Sequence, residues 1–335
     1  GNSINEIRND KIKKIFKMKK KIKSSKTFHL TNYLSDVILF SNRIISKINP
    51  NLIVILGDRF EMLGPVIAGY NSNIKIAHIH GGEKTYGSKD DSIRHSISKL
   101  SNFHFISHKS SFKRLIQLGE DKKNIFLVGG LGAERIQKIK FIKRTQIEKK
   151  LNLKLKSKNF LITLNSFIEI KKNIEKFLNF FLNTLKKFLN TNLIFTSANP
   201  DMYSDLINNK IKKYCWKEKN AFFFKTLGFR MYNSLLKQCD LIIGNSSSGI
   251  LEAPSLGIPT INIGDRQKGR IFSKSIIQVS YSKKSLNSCI KNALKKKFKP
   301  VNPYYVYNSS YKIMKIFEKI NFNIDNNFKE FIDKK

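Results

Sequence analysis

The chain has 335 residues, 63 of them Lys or Arg against 24 Asp or Glu, a formal charge of +39, with 41% apolar and 11% aromatic residues. This length and apolar content suit two globular domains and exclude a disulfide-stapled mini-protein or a disordered tail, while 17 Gly and 7 Pro exclude collagen-like and Pro-rich classes. Cys215, Cys239 and Cys289 form no CxxC pair or Cys/His array, which argues against structural zinc and for a reducing compartment.

No apolar run approaches the ~20 residues of a membrane span, and the start, Gly1 to Glu6, lacks the apolar core of a signal peptide. The reading is a soluble cytoplasmic protein with no membrane partner. The lysines are spread along the whole chain among Asn and Ile, so the charge reads as a coding bias and not as a nucleic-acid-binding stripe. It can still attract anionic substrates.

In chain order, Leu52–Leu56 predicts a buried strand, followed by a helix over 60–70, a strand at Lys75–Ile79 and a helix beginning near Asp91. A strand over 103–107, a helix through Leu118 and a strand over 124–128 follow. A Lys-rich, apolar-poor passage over 138–158 interrupts the pattern and marks the boundary. Strands are then expected at 160–163, 193–196, 221–224, 241–243 and 260–263, with the clearest intervening helix over 171–189. Such alternation implies parallel sheets with crossover helices. The expected domains are 1–145, 146–300 and a C-terminal helical segment, 301–335, that packs back on the first.

In parallel sheets ligands bind beyond the carboxyl ends of the strands, so residues just after each apolar run matter most. Gly57-Asp58-Arg59-Phe60-Glu61 follows the first strand, His80-Gly81-Gly82-Glu83 follows the second, and Asp90-Asp91-Ser92-Ile93-Arg94-His95 opens the next helix. If the first two strands are neighbours, Asp58 comes near His80 and Glu83. Asp58 could instead cap the next helix and pair with Arg59, and Asp90 could cap its own helix with Asp91 favouring the positive end. In the latter helix Ile93, Ile97 and Leu100 share one face, with Asp91, Arg94, His95 and Ser98 opposite.

Gly244-Asn245-Ser246-Ser247-Ser248-Gly249 lies where a strand meets a helix, an arrangement that offers free N–H groups and a positive dipole to an anion such as phosphate. The serines could also be ordinary caps, but Glu252 is four residues beyond Ser248, out of register for a capping box. At that depth a carboxylate can accept two hydrogen bonds from vicinal hydroxyls. GxxxxGK[ST] is absent, which removes the main support for ATP hydrolysis. Arg266, Lys268 and Arg270, between Gly264 and the end of a turn, could meet a diphosphate.

Together these segments, with His78-Ile79 before the second, Glu252-Ala253-Pro254-Ser255 and Gly257 through Arg270, closely resemble the UDP-N-acetylglucosamine 2-epimerases, above all the hydrolysing branch of sialic and legionaminic acid synthesis. The likeness runs in order along nearly the whole chain. It implies an α/β fold of two Rossmann-like domains facing across a cleft (GT-B-like). It also implies release of UDP and N-acetylmannosamine, or the 2-epimer of a diacetamido sugar, through elimination to a glycal and hydration.

By motif matching, the resemblance makes Asp58, His80, Glu83 and Asp91 catalytic candidates and Arg94, His95, Asn199, Ser246, Ser247, Glu252, Arg266 and Arg270 substrate-binding ones. It places Ser246 and Ser247 on the diphosphate, Glu252 on the ribose, and Arg266 and Asn199 near the nucleotide. It implies a UDP-sugar partner, a homo-oligomer and no organic cofactor; no cluster in the sequence has metal-ligand spacing, so no metal is expected. Non-hydrolysing epimerisation, a GT-B glycosyltransferase and a truncated non-catalytic homologue are the alternatives. Two departures stand out: the family's leading strands and Gly-Thr-Arg turn have no counterpart, so the first domain is expected to be N-terminally truncated, and Asn165 replaces a family His. Some relatives also carry Glu where this chain has His80.

Overall fold

The computed structural model describes residues 4–10, 12–19, 27–86, 89–166, 173–199, 203–280, 286–321 and 329–333. The chain divides into two compact units, one of Gly1–Lys14 and Arg135–Pro303, the other of Ile15–Glu134 and Tyr304–Lys335.

After α1 (Ile4–Asn9), α2 (Thr27–Ile48) opens the smaller-sheet unit, followed by β1 (Leu52–Leu56), α3 (Leu63–Asn71), β2 (Lys75–Ile79), α4 (Asp90–Leu100), β3 (Phe103–Ile106), α5 (Lys109–Gln117) and β4 (Ile125–Leu127). The four strands are parallel in the order β1-β2-β3-β4, with Leu52 opposite Lys75 and Leu56 opposite Ile79. α6 (Leu131–Lys138) carries the chain from one unit to the other. In the second unit come α7 (Arg144–Leu151), β5 (Lys158–Thr163), α8 (Ile174–Leu185), β6 (Thr191–Thr196), α9 (Ser204–Lys217), β7 (Ala221–Phe224) and α10 (Gly228–Leu236). β8 (Leu241–Gly244), α11 (Ser248–Leu251), β9 (Thr260–Ile263), β10 (Ile276–Val279) and α12 (Leu286–Leu294) complete that unit. α13 (Ser309–Phe317) then packs on the first sheet, where Ile313 joins Ala77, Ile79, Phe105 and Val128 in one apolar cluster. Among the described residues no helix is long and apolar enough to cross a membrane.

The second sheet runs β10-β9-β8-β5-β6-β7, all parallel. Strand order therefore reverses between β5 and β8, the topological switch point at which α/β sheets take ligands. β5 and β6 are buried on both faces, which is why they read as continuous apolar runs. β1 departs from its expected burial: it is an edge strand in which Ile55 is buried, whereas Val54 and Leu56 are 46% and 54% exposed. Ile53 and Ile55 turn toward α3, while α13 covers the opposite face only over β2 to β4 and Leu52.

The Lys-rich passage over 138–158 is not structureless. It holds α7, anchored by fully buried Ile147, and Leu153 and Leu155, which are also buried. The helix expected over 171–189 is seen as α8 at Ile174–Leu185; positions 171 and 172 lie outside the described residues.

Gly244 closes β8 with φ +141°, and a Cβ there would lie 1.9 Å from the carbonyl oxygen of Thr163 on β5. Only glycine allows the two strands to meet at the switch point. Gly57 ends β1 with φ +84°, but a Cβ at that position would meet nothing within 4 Å. Gly244→Ala is therefore expected to lower unfolding free energy by about 3 kcal/mol or more, and Gly57→Ala by about 1 kcal/mol of backbone strain alone. Urea unfolding of the two variants measures the difference.

Candidate active site

The first group of polar residues gathers around Arg94, which α4 buries to 1% exposure. One Nη2 proton goes to Asp58, just after β1, in an ion pair. Nη1 donates to the carbonyl of Glu83 (2.9 Å), to Thr85 Oγ1 (3.2 Å) and to Asp91 Oδ1 (3.4 Å). Asp91 Oδ1 also accepts the Thr85 N–H, and Oδ2 lies 3.6 Å from His95 Nε2. Burial pushes the Asp91 carboxyl up, but His95, the Thr85 N–H and Lys84 together outweigh it and hold it below the usual aspartate range. Asp58 pairs with Arg94 instead of Arg59, whose Nε bonds Glu61 at 3.3 Å.

Glu83 is 4% exposed and accepts a 2.6 Å hydrogen bond from Ser107 Oγ. Its Oε1 lies 3.7 Å from His80 Nδ1. His80 Nε2 accepts the Leu131 N–H at 3.4 Å, so the ring proton belongs on Nδ1, facing Glu83. His80 itself adopts φ +68°, and a Cβ on Gly81 would meet Ser98 Oγ at 2.8 Å and His78 Nδ1 at 2.9 Å. The loop is thus wound tightly against α4. His78 lies beneath it, fully buried, with Nε2 donating to the Gly57 carbonyl (2.8 Å) and Nδ1 accepting from Ser98 Oγ (3.0 Å). Burial drives its pKa down to about 3, against the Gly57 bond, so it is neutral and serves to tie β1 to α4.

The polar face of α4 predicted from its spacing is accordingly not a solvent face: Arg94 and Ser98 are as buried as Ile97. Asp90 makes no cap; the N-cap position is Lys89, without a side-chain bond. Ser107, His108 and Arg114 complete the surroundings and were not predicted. Arg114 donates Nε–H to the Gly82 carbonyl and Nη2–H to Ser110 Oγ (3.2 Å); burial lowers its guanidinium, against the opposing pull of Glu83 and Asp91. Ser107 and His108 directly follow β3, so the rule applied to the other strand ends would have found them.

The second group lies at the switch point. Asn165 and Asn245, after β5 and β8, bond reciprocally: the Asn165 N–H donates to Asn245 Oδ1 (2.7 Å) and Asn245 Nδ2 to the Asn165 carbonyl (2.8 Å). Asn165 Oδ1 accepts the Asn199 N–H at 2.9 Å, which ties in the loop after β6. A cavity of about 570 Å³ opens there, lined by Thr163, Thr196, Asn199, Tyr232, Ser246 and Glu252 among others. Glu252 is half-buried on this wall, and burial raises its carboxyl to about 7 against the pull of Arg135 and Arg270. Ser247, Arg266 and Arg270 are not on this wall. Arg266 instead donates to the Asn245 carbonyl at 3.2 Å, beside Gln267 at 2.9 Å, and so braces the turn from behind. The helix expected after the serines is only four residues long, α11, before Pro254 enforces a tighter turn, so little dipole is available. Among the described residues no group of three or more His, Cys, Asp or Glu is arranged to hold a metal ion.

Two parallel Rossmann-like sheets, one with acids gathered past its first two strands and one with a serine turn at its switch point, define a GT-B-like α/β protein. The UDP-N-acetylglucosamine 2-epimerase family profile matches residues 6–318, and the chain belongs to that family. It is 41% identical over 271 residues to a GDP/UDP-N,N'-diacetylbacillosamine 2-epimerase (hydrolyzing) of Campylobacter jejuni, covering 79% of this chain and 71% of that protein. It is 30% identical to a UDP-N,N'-diacetylbacillosamine 2-epimerase (hydrolyzing) of Legionella pneumophila, covering 91% and 80%. Its fold matches the UDP-GlcNAc 2-epimerase of Neisseria meningitidis bound to UDP-GlcNAc with a TM-score of 0.75 at 18% identity, over 91% of this chain and 84% of that one.

Removing the guanidinium strands two carboxylates. Arg94→Met is expected to cost about 3–5 kcal/mol in urea unfolding, and adding Asp58→Asn to that variant should restore part of the loss.

Proposed function

We propose that this chain is a hydrolysing 2-epimerase of UDP-activated acetamido sugars, releasing UDP and the free 2-epimer. The reading rests chiefly on the Glu83–His80 pair set beside two aspartates that pair with Arg94. Proton transfer and positive-charge stabilisation are thereby divided between different groups. A C2–H not activated by a carbonyl is a poor acid, so departure of the diphosphate from C1 must accompany its removal. Asp58 and Asp91, anionic, stabilise the oxocarbenium character that develops, while Glu83 and His80 take the C2 proton and return one to the opposite face. The C1–O bond breaks, its electrons leave with UDP, the C2–H electrons form the glycal double bond, and water then adds its hydroxyl at C1 and a proton at C2.

The nucleotide falls to the unit with the switch point. Ser246 takes the diphosphate, with Ser247 shaping the turn from off the cavity wall, Glu252 takes the ribose hydroxyls, and Asn199 the nucleotide end, with Arg266 acting through the Asn245 carbonyl that it braces. Arg270 keeps positive potential near Glu252, and His95 orients Asp91. Asn165, in the place of a family His, carries neither charge nor transferable proton; its backbone-directed bonds assign it to holding the turn. The relatives named for diacetylbacillosamine favour a UDP-diacetamido sugar over UDP-N-acetylglucosamine as substrate; a cytoplasmic place in sialic or legionaminic acid synthesis goes with that reading.

A proton NMR time course in D2O with each UDP-sugar tests this. UDP and a free 2-epimer with one deuterium at C2 are the expected products; a UDP-linked epimer alone would mean the non-hydrolysing reaction. Glu83→Gln should lower kcat by about 10²- to 10⁴-fold.

Glu252 sets a pH dependence. Its carboxyl titrates at about 7, and the carboxylate is the form that accepts both ribose hydroxyls. Uridine binding should therefore tighten as pH rises from 6 to 8, by at most about tenfold per unit below the pKa. Calorimetry on Glu252→Gln should give a flat profile. In the ligand-free protein the sign is opposite: a raised pKa favours folding at low pH, and that contribution is lost as pH rises through about 7.

A further inference from the structure

Hydroxyl groups crowd the switch-point cavity in an ordered way. Tyr232, from the middle of α10, places its Oη 2.7 Å from Ser248 Oγ. Ser248 Oγ donates to Ser246 Oγ at 3.1 Å, and the Ser248 N–H reaches the same oxygen at 3.4 Å. On its other side the Tyr232 hydroxyl is hydrogen-bonded to Thr163, whose Oγ1 is in turn bonded to Thr196 Oγ1. All of these side chains line the one cavity. Ser246, already accepting, has its own proton to direct outward.

We propose that Tyr232 is a positioning residue for the leaving diphosphate, the central link of a hydroxyl chain, Thr196 to Thr163 to Tyr232 to Ser248 to Ser246, that aims a polarised donor at it. The inference rests on the reading of the serine turn as the diphosphate seat.

A hydroxyl donates one proton and accepts on its lone pairs, so the donors of such a chain point together in one direction or the other. An anion at Ser246 selects the direction in which every proton points toward the turn, and each bond then strengthens the next. With α11 only four residues long, these hydroxyls supply what a longer helix would have supplied through its dipole. As the C1–O bond breaks, charge builds on the departing phosphate, so the chain stabilises the transition state more than the bound substrate. Burial, with Glu252 adding to it, raises the Tyr232 phenol, which therefore remains a protonated link throughout the neutral range. Phenylalanine at this position would keep the ring's packing and cut the chain at its middle.

The experiment compares Tyr232→Phe, Ser248→Ala, Thr163→Val and the double variant of Tyr232→Phe with Thr163→Val, using UDP and uridine in calorimetry and the UDP-sugar in steady-state assays. Tyr232→Phe should weaken UDP binding about tenfold, leave uridine binding within about twofold and lower kcat by more than it raises KM. Thr163→Val should add nothing further to the Tyr232→Phe effects on UDP, because the chain is already broken; independent contacts would multiply instead. Ser248→Ala should reproduce the UDP-selective loss from the other side of the break. Unchanged UDP binding and kcat in Tyr232→Phe would overturn the relay while leaving the serine-turn reading intact, and equal losses for UDP and uridine would reduce Tyr232 to packing. A wild-type chain that binds uridine as tightly as UDP would overturn the diphosphate seat itself and the relay with it.

Discussion

The buried guanidinium of Arg94 is the contact on which the acid site depends. Four separate points converge on it: Asp58, two residues past β1, the carbonyl and hydroxyl of the loop after β2, and the aspartate one turn earlier on its own helix. Asp58 and Asp91 could not lie so near each other and beside Glu83 without a counter-charge that is itself shielded from water. Neutral His78 performs the complementary task beneath the loop, tying β1 to α4 without adding charge. The acids are thereby sorted by environment: two pair with the guanidinium, and one faces an imidazole.

On the proposed reading the other sheet solves a different problem, that of holding an anion with little help from a helix. Its answer combines a glycine that lets two strands touch, a reciprocal asparagine pair that seals the contact, and hydroxyls fixed from several elements. Arg266 and Gln267 share the Asn245 carbonyl from behind, so the turn is clamped on the side away from the cavity. Preorganisation here is a matter of backbone groups being held, with few charges at the wall itself.

What could be read from the sequence follows from which forces act locally. β5 and β6, buried on both faces, are unmistakable as apolar runs, and residues just after strands could be picked out because parallel strands deliver their ends to one edge. β1 looked the same but is an edge strand, a difference set by neighbours and not by composition. α2 and β10 went unmarked: the first mixes Asn, Ser and Thr with β-branched residues, and the second is a four-residue run. Asp58, Glu83 and Asp91 were legible as acids, but their common dependence on Arg94 was not, since spacing alone put that residue on a polar face that turns out to be interior. Arg114 and Tyr232 sit within helices, where an amphipathic pattern explains them equally well without a site. The basic run ending at Arg270 showed the reverse: three cations in the sequence, none on the cavity wall.

The outer edge of β1 has a consequence for how copies of the chain behave in concentrated solution. Among the described residues no strand pairs with that edge, where Val54 and Leu56 are exposed, and such an edge is a template on which a foreign strand can add. Between identical molecules that addition is opposed by mutual repulsion, since each carries +39 formal charges. Salt at physiological strength cuts the reach of that repulsion to about 8 Å, so raising the ionic strength removes what keeps such edges apart.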